Sequence, residues 1–235
     1  MTPRQDMHVH STFSDGRDPI EGNVAEAESL ELRQLTCVDH VRRDTSWVPE
    51  YAAAVRRVAA GTDVELACGI EAKLLDTTGA LDLPDGIEDV DVVYAADHQV
   101  PLPEGPTHPR EVGERIARGE LAAEQVLEAI VGSTARALDR DVPVVIAHFF
   151  SILPKIGLAE ADAPAGLIEW LADETARTGQ RIEVSERWRC PSADTLRPFA
   201  RRGVPILLST DSHSRETIGR YDHCLDVLRE LDAGA

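Results

Sequence analysis

Short apolar runs recur along the chain, and each leads to a histidine or a carboxylate. Asp6-Met7-His8-Val9-His10 opens the series. The runs over 35–39, 64–70 and 90–97 lead to His40, Glu71 and His98, and those over 142–147 and 205–210 to His148 and to Asp211 and His213. Runs of this length and content predict buried strands. Between them the apolar spacing changes. Val24, Ala27, Leu30 and Leu32 predict a helix over 19–33, and Tyr51, Ala54, Val55 and Val58 another over 49–60. Residues 111–138 are long enough for one or two helices, with Gly119 and Gly132 as plausible breaks. Further helices are predicted over 165–178 and 193–202, with a strand over 181–184 between them. Thr78-Gly79 and Pro84-Asp85-Gly86 predict a short hairpin or surface excursion, and 101–109 a proline-rich loop. Seven strands alternating with helices or loops predict an α/β protein with a parallel sheet, closed into a barrel or doubly wound. No glycine-rich phosphate loop follows the first strand, which argues against a dinucleotide-binding fold.

Composition changes this picture little. At 235 residues and 43% hydrophobic content, the chain is expected to bury one core as a single domain over residues 1–235. A formal net charge of -18 argues against nucleic acid or an anionic membrane as partner. No apolar stretch is long enough for a membrane span and none reads as a leader, so a cytoplasmic location is expected. Cys37, Cys68, Cys190 and Cys224 are widely spaced and form no C-x-x-C, which predicts core thiols in a reducing compartment. Basic charge is almost entirely arginine, with Lys73 and Lys155 the only lysines.

The chemistry begins at His8 and His10. Two histidines separated by one residue on a strand point to the same side, and Asp15 follows in the next loop. Six of the eight histidines fall at predicted strand ends, at the rim where the loops of a barrel converge. His108 and His223 match no such position and are expected to be structural or exposed. No G-x-S-x-G is present, and only Cys224 has a histidine beside it, so no protein nucleophile is evident.

With these motifs the chain resembles the PHP (polymerase and histidinol phosphatase) family of metal-dependent phosphoesterases. The resemblance rests on D-M-H-V-H-S-T-F-S-D-G at 6–16, V-D-H at 38–40, G-I-E-A at 69–72, D-H at 97–98, A-H at 147–148 and S-T-D-S-H at 209–213. It implies a distorted (β/α)7 TIM-like barrel with a trinuclear metal site at the strand C-termini. His8 and His10 would hold one ion with Glu71 and Asp211. Glu71 would bridge to a second, also bound by His98 and His148, and Asp15, His40 and His213 would hold a third. Mixed imidazole and carboxylate donors favour Zn, Mn or Fe over Mg or Ca. A bridging carboxylate such as Glu71 suits the two-metal arrangement used for displacement at phosphorus, with a bridging water that loses a proton near neutral pH as nucleophile. Glu71 and Asp211 are thus the expected catalytic carboxylates.

Substrate contacts are sought among the arginines near the ligand loops: Arg17, Arg42, Arg43, Arg187, Arg189 and Arg215. Arg187 is the candidate phosphate clamp and Trp188 a substrate wall. Glu183 is placed to support a metal ligand through a hydrogen bond, while Asp39 and Asp97, each beside a ligand histidine, are weaker candidates. Three activities compete: a phosphomonoesterase acting on a small phosphorylated metabolite, histidinol phosphate being the family's best-known substrate; a hydrolase of a cyclic phosphodiester, phosphotriester or amide; and a non-catalytic or proofreading module. The first is expected. For histidinol phosphate, Glu186 or Glu104 would meet the substrate's ammonium group.

Overall fold

In the computed structural model, which describes residues 4–234, every ligand-bearing run begins as a strand. β1 (Gln5–Val9), β2 (Gln34–His40), β3 (Glu65–Lys73) and β4 (Val92–Ala96) follow in order. β5 (Val100–Leu102) and β6 (Gly105–Thr107) form a separate antiparallel hairpin. β7 (Val144–Ile146), β8 (Arg181–Ser185) and β9 (Ile206–Ser209) complete a sheet ordered β1-β2-β3-β4-β7-β8-β9 and parallel at every pairing. Its two edges nearly meet. Val9 bridges Ser212 in parallel sense, and the His10 N–H donates to the Ser212 carbonyl at 2.8 Å. The result is a nearly closed, distorted (β/α)7 barrel, as the motifs imply, and not a doubly wound sheet.

The connections are α1 (Ile20–Ser29), α2 (Val48–Ala59), α3 (Pro109–Ala117), α4 (Ala123–Ala137), α5 (Ala165–Thr178), α6 (Ala193–Arg201) and α7 (His223–Ala233). Their apolar faces cover the outside of the barrel, burying Tyr51, Leu127, Leu171 and Phe199 against the strands. Full burial of a side chain such as Phe199 stabilises by about 2–3 kcal/mol. Inside the barrel Val38, Val92, Tyr94, Ala96, Val145 and Ala147 form a second, smaller cluster.

Two expectations need correction. Gly119, in a left-handed conformation at φ 70°, lies in the break between α3 and α4, but Gly132 lies buried inside α4. An isolated glycine costs a helix only about 1 kcal/mol, and here Val126, Ile130 and Val131 anchor the helix around it. The proline-rich segment is also no irregular loop. Pro101 faces Pro106 across the β5–β6 hairpin, at a pair that requires no N–H from either residue.

Candidate metal centre

The parallel strands deliver their C-termini to one end of the barrel, and all nine candidate ligands gather there. Glu71 is the hub. The β2–β3 register sets it opposite His40, and its Oε2 is 2.8 Å from His40 Nδ1 and 3.5 Å from His8 Nε2. Its Oε1 is 2.8 Å from His148 Nε2 and 3.1 Å from His98 Nε2. On the other side of the cluster, His10 Nε2 lies 3.0 Å from Asp211 Oδ1, and His213 Nε2 lies 3.2 Å from Asp15 Oδ1.

Three groups of donor atoms, each within 4.8 Å of one another, emerge: His8, His10 and Asp211; His40, Glu71 and His98; and His10, Asp15, His40 and His213. The expected residues meet at one end of the barrel, but the grouping differs from the expected one: Glu71 is not with His8, His10 and Asp211, His10 also joins the third group, and His148, 2.8 Å from Glu71, falls in none of the three. His40 lies between two groups, close to Glu71 and 3.6 Å from Asp15. His148 and Asp211 reach inward from left-handed backbone, at φ 27° and 50°. Non-glycine residues adopt this region at a cost, and it concentrates at functional sites.

Several buried atoms of this cluster crowd against one another without an aligned hydrogen bond: His8 Nε2, both ring nitrogens of His10, Glu71 Oε2 and Asp211 Oδ1. Polar atoms so placed at this depth are costly, and a cation satisfies them together. Protonation points the same way. Burial opposes charge on His8, yet the Glu183 and Glu71 carboxylates hold it well above the ordinary histidine value. His148 is likewise pushed up to about 10, against burial, by Asp97 and Glu71. Burial pulls His10 down to about 4 despite the Asp211 carboxylate. Burial also opposes ionisation of Glu71, but His98, His148, His40 and His8 hold it well below the usual carboxylate range. A cation among these donors would displace the second proton that the carboxylates favour on His8 and His148.

Behind the cluster a layer of acids orients the rings. Glu183 is fully buried and lies 3.1 Å from His8 Nδ1, while its other oxygen accepts the His148 N–H at 2.7 Å. Asp97 sits 3.4 Å from His148 Nδ1 and accepts from the Ser151 hydroxyl. Asp39 accepts from the N–H and hydroxyl of both Ser11 and Ser14, fixing the loop that carries Asp15. Both weaker candidates therefore act, as supports of the site.

Above the cluster opens a cavity of about 680 Å³. Arg42, Arg187 and Trp188 line it, as expected. The Trp188 Nε1–H donates to Asp211 Oδ2 at 2.5 Å, and Arg187 Nη1 lies 2.7 Å from His213 Nδ1. Arg17, Arg43, Arg189 and Arg215 do not line it. Arg215 pairs with Asp18 instead, and the Arg43 N–H donates to Asp82. Glu186 and Glu104 fail as substrate contacts too. Glu186 accepts from the His223 and Cys224 N–H groups at the start of α7, and Glu104 pairs with Arg115 at 2.6 Å. His108 caps α3 by accepting from the Arg110 N–H. Lys73, Lys155, Trp47 and Phe13 line the cavity without having been singled out. For Lys73 a signal existed, because it follows Glu71 by two residues on one strand and so shares its face.

The PHP domain family matches residues 6–185 of the chain. Among solved structures, a candidate histidinol phosphatase from Listeria monocytogenes superposes with a TM-score of 0.69 at 16% identity, covering 92% of this chain and 97% of that one. The histidinol phosphate phosphatase of Lactococcus lactis, solved with zinc, L-histidinol and phosphate, gives the same TM-score and identity over 98% of this chain and 92% of its own. No curated protein matches the sequence. With the family matched from β1 through β8 on a barrel that carries the full cluster, the chain belongs to the PHP domain family and is a metal-dependent hydrolase.

Proposed function

We propose that the protein is a phosphomonoesterase that cleaves a small phosphorylated metabolite with the help of up to three divalent ions, Zn, Mn or Fe. His8, His10, Asp15, His40, Glu71, His98, His148, Asp211 and His213 would hold them. The observation that carries this reading is the set of crowded, buried donor atoms directly beneath a cavity lined by basic side chains. Bound there, such ions supply an acidified water and neutralise charge on phosphoryl oxygens.

The chain's own residues do the rest. Glu183 accepts the hydrogen bond of His8 Nδ1–H, which leaves Nε2 facing the centre, and Asp97, 3.4 Å from His148 Nδ1, orients that ring the same way. His213 Nδ1 lies 3.0 Å from the Asp211 carbonyl. With its proton donated there, the ring offers Nε2 to the cluster, and the Arg187 guanidinium is left to bind a phosphate oxygen. Trp188, fastened to Asp211, walls the substrate beside it. Residues 1–235 are read as one domain working in the cytoplasm, which suits four free, buried thiols. The charge of -18 supports a small metabolite over nucleic acid as partner.

Phosphate release from a panel of phosphomonoesters, by protein loaded in turn with Mn, Zn and Fe, tests the reading. Release that His10→Ala abolishes supports it. Silence across the panel with metal bound overturns it in favour of diester or amide bonds.

A further inference from the structure

The cavity holds more positive charge than one phosphate group uses. The protein's only two lysines, Lys73 and Lys155, both line it, as do Arg42 and Arg187 and two of the three tryptophans, Trp47 and Trp188. In a chain of net charge -18, this convergence is local and directional. The carboxylates in the lining, Asp15, Glu71 and Asp211, all belong to the ligand cluster, so beyond that cluster the lining is cationic.

The basic groups occupy a second tier. β2 and β3 run in parallel with His40 opposite Glu71, and the Val41 N–H donates to the Glu71 carbonyl at 2.9 Å. Arg42 and Lys73 each lie two residues beyond this pair. Lys73, still in β3, stands at strand rise about 6–7 Å higher towards the mouth on the face of Glu71, and Arg42 lies in the loop just after β2. Asp82 fastens the tier by accepting the Arg43 N–H at 3.0 Å and pairing with Lys73 Nζ at 3.3 Å. Across the cavity, Lys155 Nζ lies 4.2 Å from the centre of the Trp188 ring. Among the described residues neither Arg42 nor Lys155 has a carboxylate within 4.0 Å of its charged group.

We infer that the substrate carries a second anionic group, a carboxylate or another phosphate, which Arg42, Lys73 and Lys155 bind above the phosphate being cleaved. The identity of the cleaved bond rests on the phosphoesterase reading; the second anion rests on the cavity alone. Glu186 and Glu104, engaged by the start of α7 and by Arg115, place no carboxylate in this tier that would oppose an anion.

Binding is the test, because it does not depend on turnover. Quenching of tryptophan fluorescence, with Trp47 and Trp188 as reporters, would be titrated with propylphosphonate and with propane-1,3-bisphosphonate, in metal-free and in zinc-loaded protein. The bisphosphonate is expected to bind about tenfold or more tightly than the monophosphonate. That preference should shrink to about threefold or less in Lys155→Gln and in the double variant Arg42→Gln/Lys73→Gln. Equal affinities in the unaltered protein, or an undiminished preference in both variants, would overturn the inference. A parallel assay compares ethyl phosphate with phosphoglycolate as substrates. Silence of the whole phosphomonoester panel, these two included, alongside an intact bisphosphonate preference, would sink the phosphoesterase reading and leave the second anion site standing.

Discussion

His8 and His148 each have a buried carboxylate that is no expected ligand behind the ring, Glu183 and Asp97, whereas Nδ1 of His10 has only the exposed Asp15 at 3.7 Å. Against burial, Glu183 and Glu71 favour the charged ring of His8, and Asp97 and Glu71 push His148 up to about 10 from the ordinary 6.5. A histidine raised in this way favours the folded state fully below its unfolded value, and that contribution disappears as pH rises through the folded value. His10, pulled down to about 4, is neutral in both states over this range and adds nothing. Metal-free protein should therefore lose thermal stability between about pH 7 and pH 10, and zinc-loaded protein should lose much less, because the ion has replaced the protons. Melting curves at several pH values, with and without zinc, check this; parallel curves would refute it. Glu183→Gln is a second check at this scale. A glutamine oxygen can still accept the His148 N–H, but its amide then faces His8 Nδ1 and turns the ring's lone pair away from the centre. Zinc affinity, measured by chelator competition, should fall about 10- to 100-fold.

At the scale of elements, function sits where strands give way to loops. The loop after β1 is the tightest of these. A Cβ on Gly16 would lie 2.6 Å from the His10 carbonyl carbon and 2.7 Å from the Ser11 nitrogen, both backbone atoms that cannot yield. Gly16→Ala should thus displace Asp15 and destabilise the fold by about 2 kcal/mol or more. Denaturant unfolding measures the second effect, and an unchanged midpoint would show that the loop is slack. This loop was legible in the sequence because the D-G pair follows an H-x-H strand at fixed distance. So were the strands, since apolar runs ending in His40, Glu71, His98 and His148 state both the buried face and the rim. The rest was hidden for physical reasons. The β5–β6 hairpin is masked by prolines that ordinarily exclude strand, and Gly132 reads as a break because local propensity does not see the packing around α4. Glu186 lies next to the candidate phosphate clamp in sequence, yet the N–H groups at the start of α7 claim its carboxylate. Lys155 reaches the cavity from a short 3₁₀ turn whose direction only tertiary contacts set.

For the whole molecule the critical feature is the seam where the barrel closes. His8 comes from its first strand and His10 from just beyond it, Asp211 and His213 from just beyond its last, so the cluster exists only if the two edges are held in register. Backbone pairing there is sparse, with a bridge from Val9 to Ser212. Asp6 supplies the missing strength. Wholly buried, it accepts the Thr210 N–H on one oxygen and the Thr210 hydroxyl and the Gly219 N–H on the other, at 2.9, 2.5 and 2.9 Å. One carboxylate thereby ties β1 to both ends of the loop that carries Asp211 and His213. Asparagine at this position keeps the shape but replaces one acceptor with a donor that faces backbone N–H. Leaving such groups unpaired costs about 1–3 kcal/mol, so Asp6→Asn should lower the unfolding free energy by that amount. It should also weaken zinc binding although residue 6 is no ligand, because an opened seam separates His10 from Asp211, now 3.0 Å apart. A variant that loses stability but binds zinc as before would show that the cluster is positioned within each strand alone. Loss of both would establish that closure of the barrel and assembly of the metal centre are one event.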